Sequence, residues 1–220
     1  MRVADRGMTD SQANAGKKSG KLSRISYVSG VSDKPLLGVT IGDKFDETAQ
    51  RFANNEALVV RDQGVRLTYG ELRKRVDDLA KALMYLGFEK GQRIGIWSPN
   101  NYEWCVTQFA TSKIGAILVN INPAYRLHEL EYVLNQSGCS AVIIAPQFKT
   151  SDYTQMLYDL CPELHHCNPG SLDASRLPEL KAVIRIGDEP SPGMFTWGDV
   201  MALSPKVSDE DLTDRQNQLQ

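Results

Sequence analysis

Between Thr68 and Gly87, Leu72, Val76, Leu79, Ala80, Leu83 and Leu86 recur at spacings of three and four. That spacing puts them on one face of a helix. Thr68-Tyr69-Gly70-Glu71 reads as a capping box, in which the threonine oxygen takes a free helix N–H and the glutamate reaches back. Gly87 supplies the stop. Upstream, Ile41–Asn54 predicts another helix with Phe45, Ala49 and Phe52 on one face. Ala57–Arg61 and Val65–Thr68 flank Asp62-Gln63-Gly64, a β-hairpin signal.

Downstream the pattern alternates. Strands are expected at Arg93–Trp97, Ala116–Ile121, Ser140–Ala145 and Ala182–Ile186. Helices are expected at Tyr102–Ile114, Leu127–Ser137 and Asp152–Cys161, the first with Trp104, Cys105, Gln108, Phe109 and Ser112 along one side. Strands separated by helices of this length imply right-handed crossovers and a mostly parallel sheet. The runs AILV and AVII are apolar without alternation, as expected where helices cover both sheet faces. The fold class read from the pattern is therefore α/β, a mostly parallel sheet covered by helices, preceded by an N-terminal helix and a β-hairpin. Residues 1–25 are polar and read as a disordered tail, and residues 26–207 as the folded segment. Residues 208–220, SDEDLTDRQNQLQ, read as a polar linker with almost nothing to bury.

Composition narrows the function. A net charge of −2 gives no reason to expect a nucleic-acid-binding face. No apolar run approaches the roughly 18 residues of a membrane span. The first two dozen residues lack a secretory apolar core, and Asp5 and Asp10 interrupt any Arg-rich targeting pattern. The expected location is cytoplasmic, with mitochondrial targeting as the alternative.

Candidate chemistry is sparse. There is no G-x-x-x-x-G-K-[ST], no strand followed by G-x-G-x-x-G, and no G-x-S-x-G elbow. Cys105 and Cys139 read as buried free thiols. Cys161-Pro-Glu-Leu-His165-His166-Cys167 invites a metal-site reading, but Pro162 breaks one local cluster that lacks the second ligand pair of structural zinc. An ordinary loop is the better expectation. His128 falls in a first helical turn, where surface exposure is the default. The acids Asp77-Asp78, Glu129/Glu131 and Asp209-Glu210-Asp211 read as solvated helix surface. The remaining interest is the carboxyl edge of the sheet, where ligands of open α/β sheets bind. Ser98–Asn101 and Asn122-Pro123 follow strands there, although Asn, Ser and Pro are also ordinary turn formers.

Three linked stretches carry a resemblance: LTYGELRKRVDDLAKALMYLGFEKGQRIGIWSPNNYEW, SKIGAILVNINPAY, and ELEYVLNQSGCSAVI followed by PQFKTSDY. In this order they resemble adenylate-forming enzymes of the acyl-CoA synthetase and luciferase superfamily, most closely its medium-chain fatty acyl-CoA ligases. The resemblance covers about residues 26–220. It implies the N-terminal part of the adenylate-forming fold and a two-step reaction of fatty acid, ATP and coenzyme A through an acyl-adenylate. It also implies ATP, magnesium and coenzyme A for the complete enzyme, with none of them expected on this chain alone.

The phosphate loop of the Thr-Ser-Gly-Thr-Thr-Gly-x-Pro-Lys-Gly type is absent, as are the later family motifs. No catalytic, cofactor-binding or metal-binding residue is therefore carried over to any position here. The chain is expected to be inactive alone and to partner the remainder of the synthetase polypeptide. The alternative is a truncated interaction or regulatory module that binds the complementary part of a synthetase. A sheet meant to continue into a missing half is expected to leave an open edge.

Overall fold

The computed structural model describes Gly30, residues 33–34 and residues 36–219. The expected tail, residues 1–25, lies outside the described residues. The chain divides into two units, 1–37 and 38–220, and the architecture below belongs to the second.

Helix α1 (Ile41–Arg51) starts where the Thr40 hydroxyl accepts the Asp43 N–H at 3.1 Å. It ends earlier than the pattern predicts. Phe45 and Ala49 are buried, but Phe52 is the cap and 40% exposed, resting against Tyr69. Strands β1 (Glu56–Val60) and β2 (Val65–Thr68) form the expected antiparallel hairpin. Its turn is a short 3-10 segment closed by Gly64 at φ 65°, a left-handed conformation that suits glycine. Helix α2 (Tyr69–Tyr85) has the full Thr68–Glu71 capping box, and its Leu72, Val76, Leu79, Ala80 and Leu83 are all buried.

The main sheet contains β3 (Arg93–Trp97), β4 (Ile117–Asn120), β5 (Cys139–Ile144), β8 (Ala182–Arg185) and β9 (Phe195–Thr196). Their order is β4-β3-β5-β8-β9 and every pairing is parallel. Helices α3 (Tyr102–Ile114), α4 (Leu127–Ser137) and α5 (Tyr153–Leu160) make the crossovers. The two-residue strands β6 (Gln147–Phe148) and β7 (Ser151–Asp152) form a small hairpin before α5. Such short pairings, like β9, leave no periodic signal in the sequence.

The strands feed two cores. Ile94, Ile96, Ala141, Ile143, Ala182 and Ile184 face α1, α2 and α3. Trp97, Val142, Ile144 and Val183 face α4 and α5. Chemical composition along these strands does not alternate because both faces are dry. Strand β4 departs from the expectation of two-sided cover: it is an edge strand, and Ile117 is 48% exposed.

Helix α3 is also turned differently from its apolar pattern. Its buried residues include Glu103, Val106, Thr107, Ala110, Thr111, Lys113 and Ile114, while Trp104 and Phe109 are only partly buried. Thr107 and Thr111 hide their hydroxyls by donating to the carbonyls of Glu103 and Thr107. The polar buried face is thus self-satisfied, which hydropathy cannot reveal.

After β9 come α6 (Trp197–Met201) and α7 (Asp209–Asn217). The expectation that residues 208–220 bury almost nothing is corrected here. Ser208 and Asp211 form a capping box, and Leu212 is buried in the same core as α2 and α3. Acidic residues in the first turn complement the positive helix end, so the acid run supports a helix.

Candidate functional site

The strand order reverses between β3 and β5. The chain leaves β3 toward β4 and leaves β5 toward β8. Such a switch point opens a crevice at the carboxyl ends of the strands in open α/β sheets. Here Trp97, the last residue of β3, and Tyr153, the first of α5, fill it. Both are fully buried, and their rings stack with centroids 3.5 Å apart and planes within 10°. Burial pushes the Tyr153 hydroxyl up to about 12.

The expected site residues are drawn into holding this plug. The Trp97 indole N–H donates to the Asn122 carbonyl at 3.1 Å, and the Tyr153 hydroxyl donates to the Pro123 carbonyl. Asn122 Oδ1 accepts the Ala124 N–H at 2.9 Å, a local turn bond. Ser98 is buried, and its hydroxyl accepts from the Asn101 amide at 2.7 Å and donates to the Pro99 carbonyl. Asn101 Oδ1 caps α3 by accepting the Trp104 N–H at 2.8 Å. The structure thus brings Asn122-Pro123 together with Trp97 and Tyr153, and ties Ser98 and Asn101 to each other. Sequence reasoning missed Tyr153 and Trp97; a buried aromatic carries no motif. The side-chain donors of Trp97, Ser98, Asn101 and Tyr153 at this edge are spent on protein acceptors.

His128 is exposed on the first turn of α4 and borders an open groove of about 320 Å³ with Tyr125, Glu129, Tyr132 and Val133. Glu129 instead accepts the Arg126 backbone N–H at 3.1 Å. In the 161–167 run, the imidazole of His165 stacks on Tyr158 at 4.0 Å. Glu163 accepts both the N–H and the hydroxyl of Ser175. Cys161 is buried, and burial followed by the nearby Glu163 pushes its thiol up to about 12, leaving an inert sulfhydryl. Among the described residues, no three His, Cys, Asp or Glu side chains converge as a metal site. Of the four cysteines, Cys139 is buried as expected, while Cys105 is only half-buried.

The main concentration of buried charge lies away from the sheet edge. Lys113 is 1% exposed and donates to Asp46 at 2.6 Å and to Asp77. Arg73 pairs with Asp46 at 2.9 Å, and the Gln216 amide reaches the other Asp46 oxygen at 3.1 Å. Burial raises the Asp77 carboxyl despite the opposing pull of Lys113. Asp77 is therefore not the solvated helix acid its sequence suggests, and Asp78 accepts from Ser204 and Lys74. Glu131 likewise holds Arg176 through two bonds. Asp46, Arg73, Asp77, Lys113 and Gln216 together tie α1, α2, α3 and α7 to one another.

The geometry defines an open parallel α/β segment with a filled switch point. Its sequence places it more narrowly: residues 45–206 match the model of the AMP-binding enzyme family, and the chain belongs to that family. It is 43% identical over 182 residues to mouse "Medium-chain acyl-CoA ligase ACSF2, mitochondrial", covering 83% of this chain and 29% of the relative. The human protein of the same name is 45% identical over 178 residues, covering 81% of this chain and 29% of the relative. The chain thus spans less than a third of these relatives' length. Among solved structures, a long-chain-fatty-acid-CoA ligase (FadD1) from Archaeoglobus fulgidus superposes with a TM-score of 0.61 at 19% identity. That match covers 83% of this chain and 33% of the other. The anthranilate CoA ligase AuaEII superposes with a TM-score of 0.62 at 23% identity, covering 77% and 29%. At these identities the superpositions establish the fold.

Proposed function

We propose that this chain is the amino-terminal part of an ATP-dependent fatty acyl-CoA ligase and has no ligase activity alone. The observation that carries this reading is the match of residues 45–206 to the AMP-binding family, combined with a switch point closed by Trp97 and Tyr153. In the complete enzyme, the fatty acid carboxylate attacks the α-phosphate of ATP, releasing pyrophosphate and forming an acyl-adenylate; the coenzyme A thiol then attacks the acyl carbon, giving acyl-CoA as AMP leaves. Magnesium would offset phosphate charge. The residues described here contribute scaffold: they bury the strands, fix the Asn122-Pro123 turn and cap α3. The medium-chain names of the relatives favour a medium-chain fatty acid as substrate. Their names also carry the word mitochondrial, which favours that location over the cytoplasmic expectation. Among the described residues, no helix is long and apolar enough to cross a membrane.

The test mixes the purified chain with octanoate, ATP and magnesium. No acyl-adenylate and no exchange of pyrophosphate into ATP are expected. Exchange above background would sink the claim of inactivity. Mixing with a fragment carrying the remainder of the polypeptide is expected to restore acyl-CoA formation. Absence of association at micromolar concentration would count against the partnership.

A further inference from the structure

A cavity of about 380 Å³ opens at the amino ends of the strands, at the opposite end of the sheet from Trp97 and Tyr153. Its size falls within the roughly 300–1,000 Å³ of small-molecule sites. Local chemistry builds its walls. Helix α2 ends at Tyr85, and the Leu86, Gly87 and Phe88 N–H groups bond back to the Ala82, Met84 and Leu83 carbonyls. These bonds satisfy carbonyls at the negative end of the helix. Tyr85 and Phe88 are left on the cavity wall.

Across from them, Asn168-Pro169-Gly170-Ser171 forms a turn closed by the Ser171 N–H on the Asn168 carbonyl at 3.0 Å, with Gly170 at φ 83°. This is type II geometry, which favours proline second and glycine third. A Cβ on Gly170 would sit 3.2 Å from the Phe195 ring, so the bare glycine lets the turn lie against a third aromatic wall.

The polar groups of the cavity are rich in donors. The Lys181 N–H donates to the Ser140 carbonyl at 2.8 Å, which sets the two residues side by side at the amino ends of β8 and β5. The Lys181 ammonium gives one proton to the Pro178 carbonyl at 2.8 Å and keeps two. Gln92 accepts the Glu89 N–H through Oε1 at 2.7 Å, which leaves its amide N–H groups to donate. Among the described residues, no carboxylate lines the cavity. One ammonium beside an amide matches a single negative charge. A phosphate monoester, with about 1.5 to 2 charges at neutral pH, is matched less well. A bare small anion would leave the aromatic walls in water, so the occupant needs an apolar body.

We propose that this cavity binds an amphipathic monocarboxylate, its carboxylate on Lys181 and Gln92 and its apolar chain against Tyr85, Phe88 and Phe195. The proposal uses only walls of this chain and goes beyond the ligase reading.

Titration of the 220-residue chain with octanoate, without ATP or magnesium, tests it through amide chemical shifts. Saturable shifts are expected at Gly87, Gln92, Gly170 and Ala182 with a Kd below about 1 mM, and none at Ile121–Tyr125. Lys181 is exposed, so Lys181→Gln should leave the Tm unchanged and weaken octanoate about 5-fold. Octanol, which keeps the chain and lacks the charge, should also bind about 5-fold more weakly. Ser140→Leu puts apolar bulk into the cavity and should abolish saturation; if that variant fails to fold, Lys181→Gln and octanol decide. Absence of saturation, or shifts confined to Ile121–Tyr125, overturns the proposal. Equal affinity of octanol and octanoate, or unchanged octanoate affinity in Lys181→Gln, also overturns it. None of these readouts depends on acyl-adenylate formation, so their failure leaves the ligase reading standing.

Discussion

Tyr153 shows how one side chain closes a crevice that the sheet topology would otherwise open. Its ring is stacked on Trp97 and its hydroxyl is spent on the Pro123 carbonyl. Burial holds its hydroxyl at about 12, against about 10 in an unfolded chain. The folded form therefore keeps the proton where the unfolded form has lost it. The stability this contributes is complete below pH 10 and is lost as pH rises through 12, by up to about 3 kcal/mol. Denaturation monitored between pH 9 and 12 should show this loss, and Tyr153→Phe should flatten it. Asn122 and Pro123 were legible in the sequence as a strand stop. Their acceptors could not be read there, because Trp97 and Tyr153 lie 25 and 30 residues from them in the chain.

At the scale of elements, helix α3 has the right bounds and an unexpected face. Its sequence places Trp104, Cys105, Gln108, Phe109 and Ser112 along one side. The packed side is instead built around Thr107, Thr111 and Lys113. A buried lysine is tolerable only with its counter-charges in place, and Asp46 and Asp77 supply them from α1 and α2. Lys113→Met should cost about 3–5 kcal/mol at pH 7, because two carboxylates then share only Arg73. The variant also loses the pull that lowers Asp77, whose carboxyl is already raised by burial. A raised carboxyl binds its proton more readily in the folded state. The deficit should therefore shrink as pH falls from 7 toward the unfolded value of about 4. Urea titrations at pH 7 and pH 5 check the sign. Helix α2 is the opposite case, since the Thr68–Glu71 box and the apolar stripe both lie within a few residues of each other and were fully readable.

For the whole molecule, α7 decides how the first core is finished. Leu212 is its buried anchor, supported by Lys81–Asp209 at 2.8 Å and by Gln216 on Asp46. Leu212→Ala should cost about 2–3 kcal/mol by cavity formation. It should also speed amide exchange in α7 ahead of the sheet, as measured by hydrogen–deuterium mass spectrometry. Equal exchange across both would refute an independently loosened helix. The capping box at Ser208–Asp211 went unread because the segment carries too few apolar residues to show a helical period.

The sequence alone determined features that rest on neighbouring residues: the longer strands and helices to within a few residues, the Thr68–Glu71 capping box, glycine stops, the α/β class and the family likeness. Hydrophobic period and cap chemistry act over one or two turns, so they are encoded locally. The tertiary structure alone decided that β4 lies at an edge, that the switch point is filled, that Lys113 sits between two aspartates and that α7 finishes the first core. Each depends on strand order and on contacts between residues far apart in the chain. SKIGAILVNINPAY illustrates both parts. Its strand and its Asn-Pro stop are local facts, whereas the bare flank of that strand is a property of the assembled sheet.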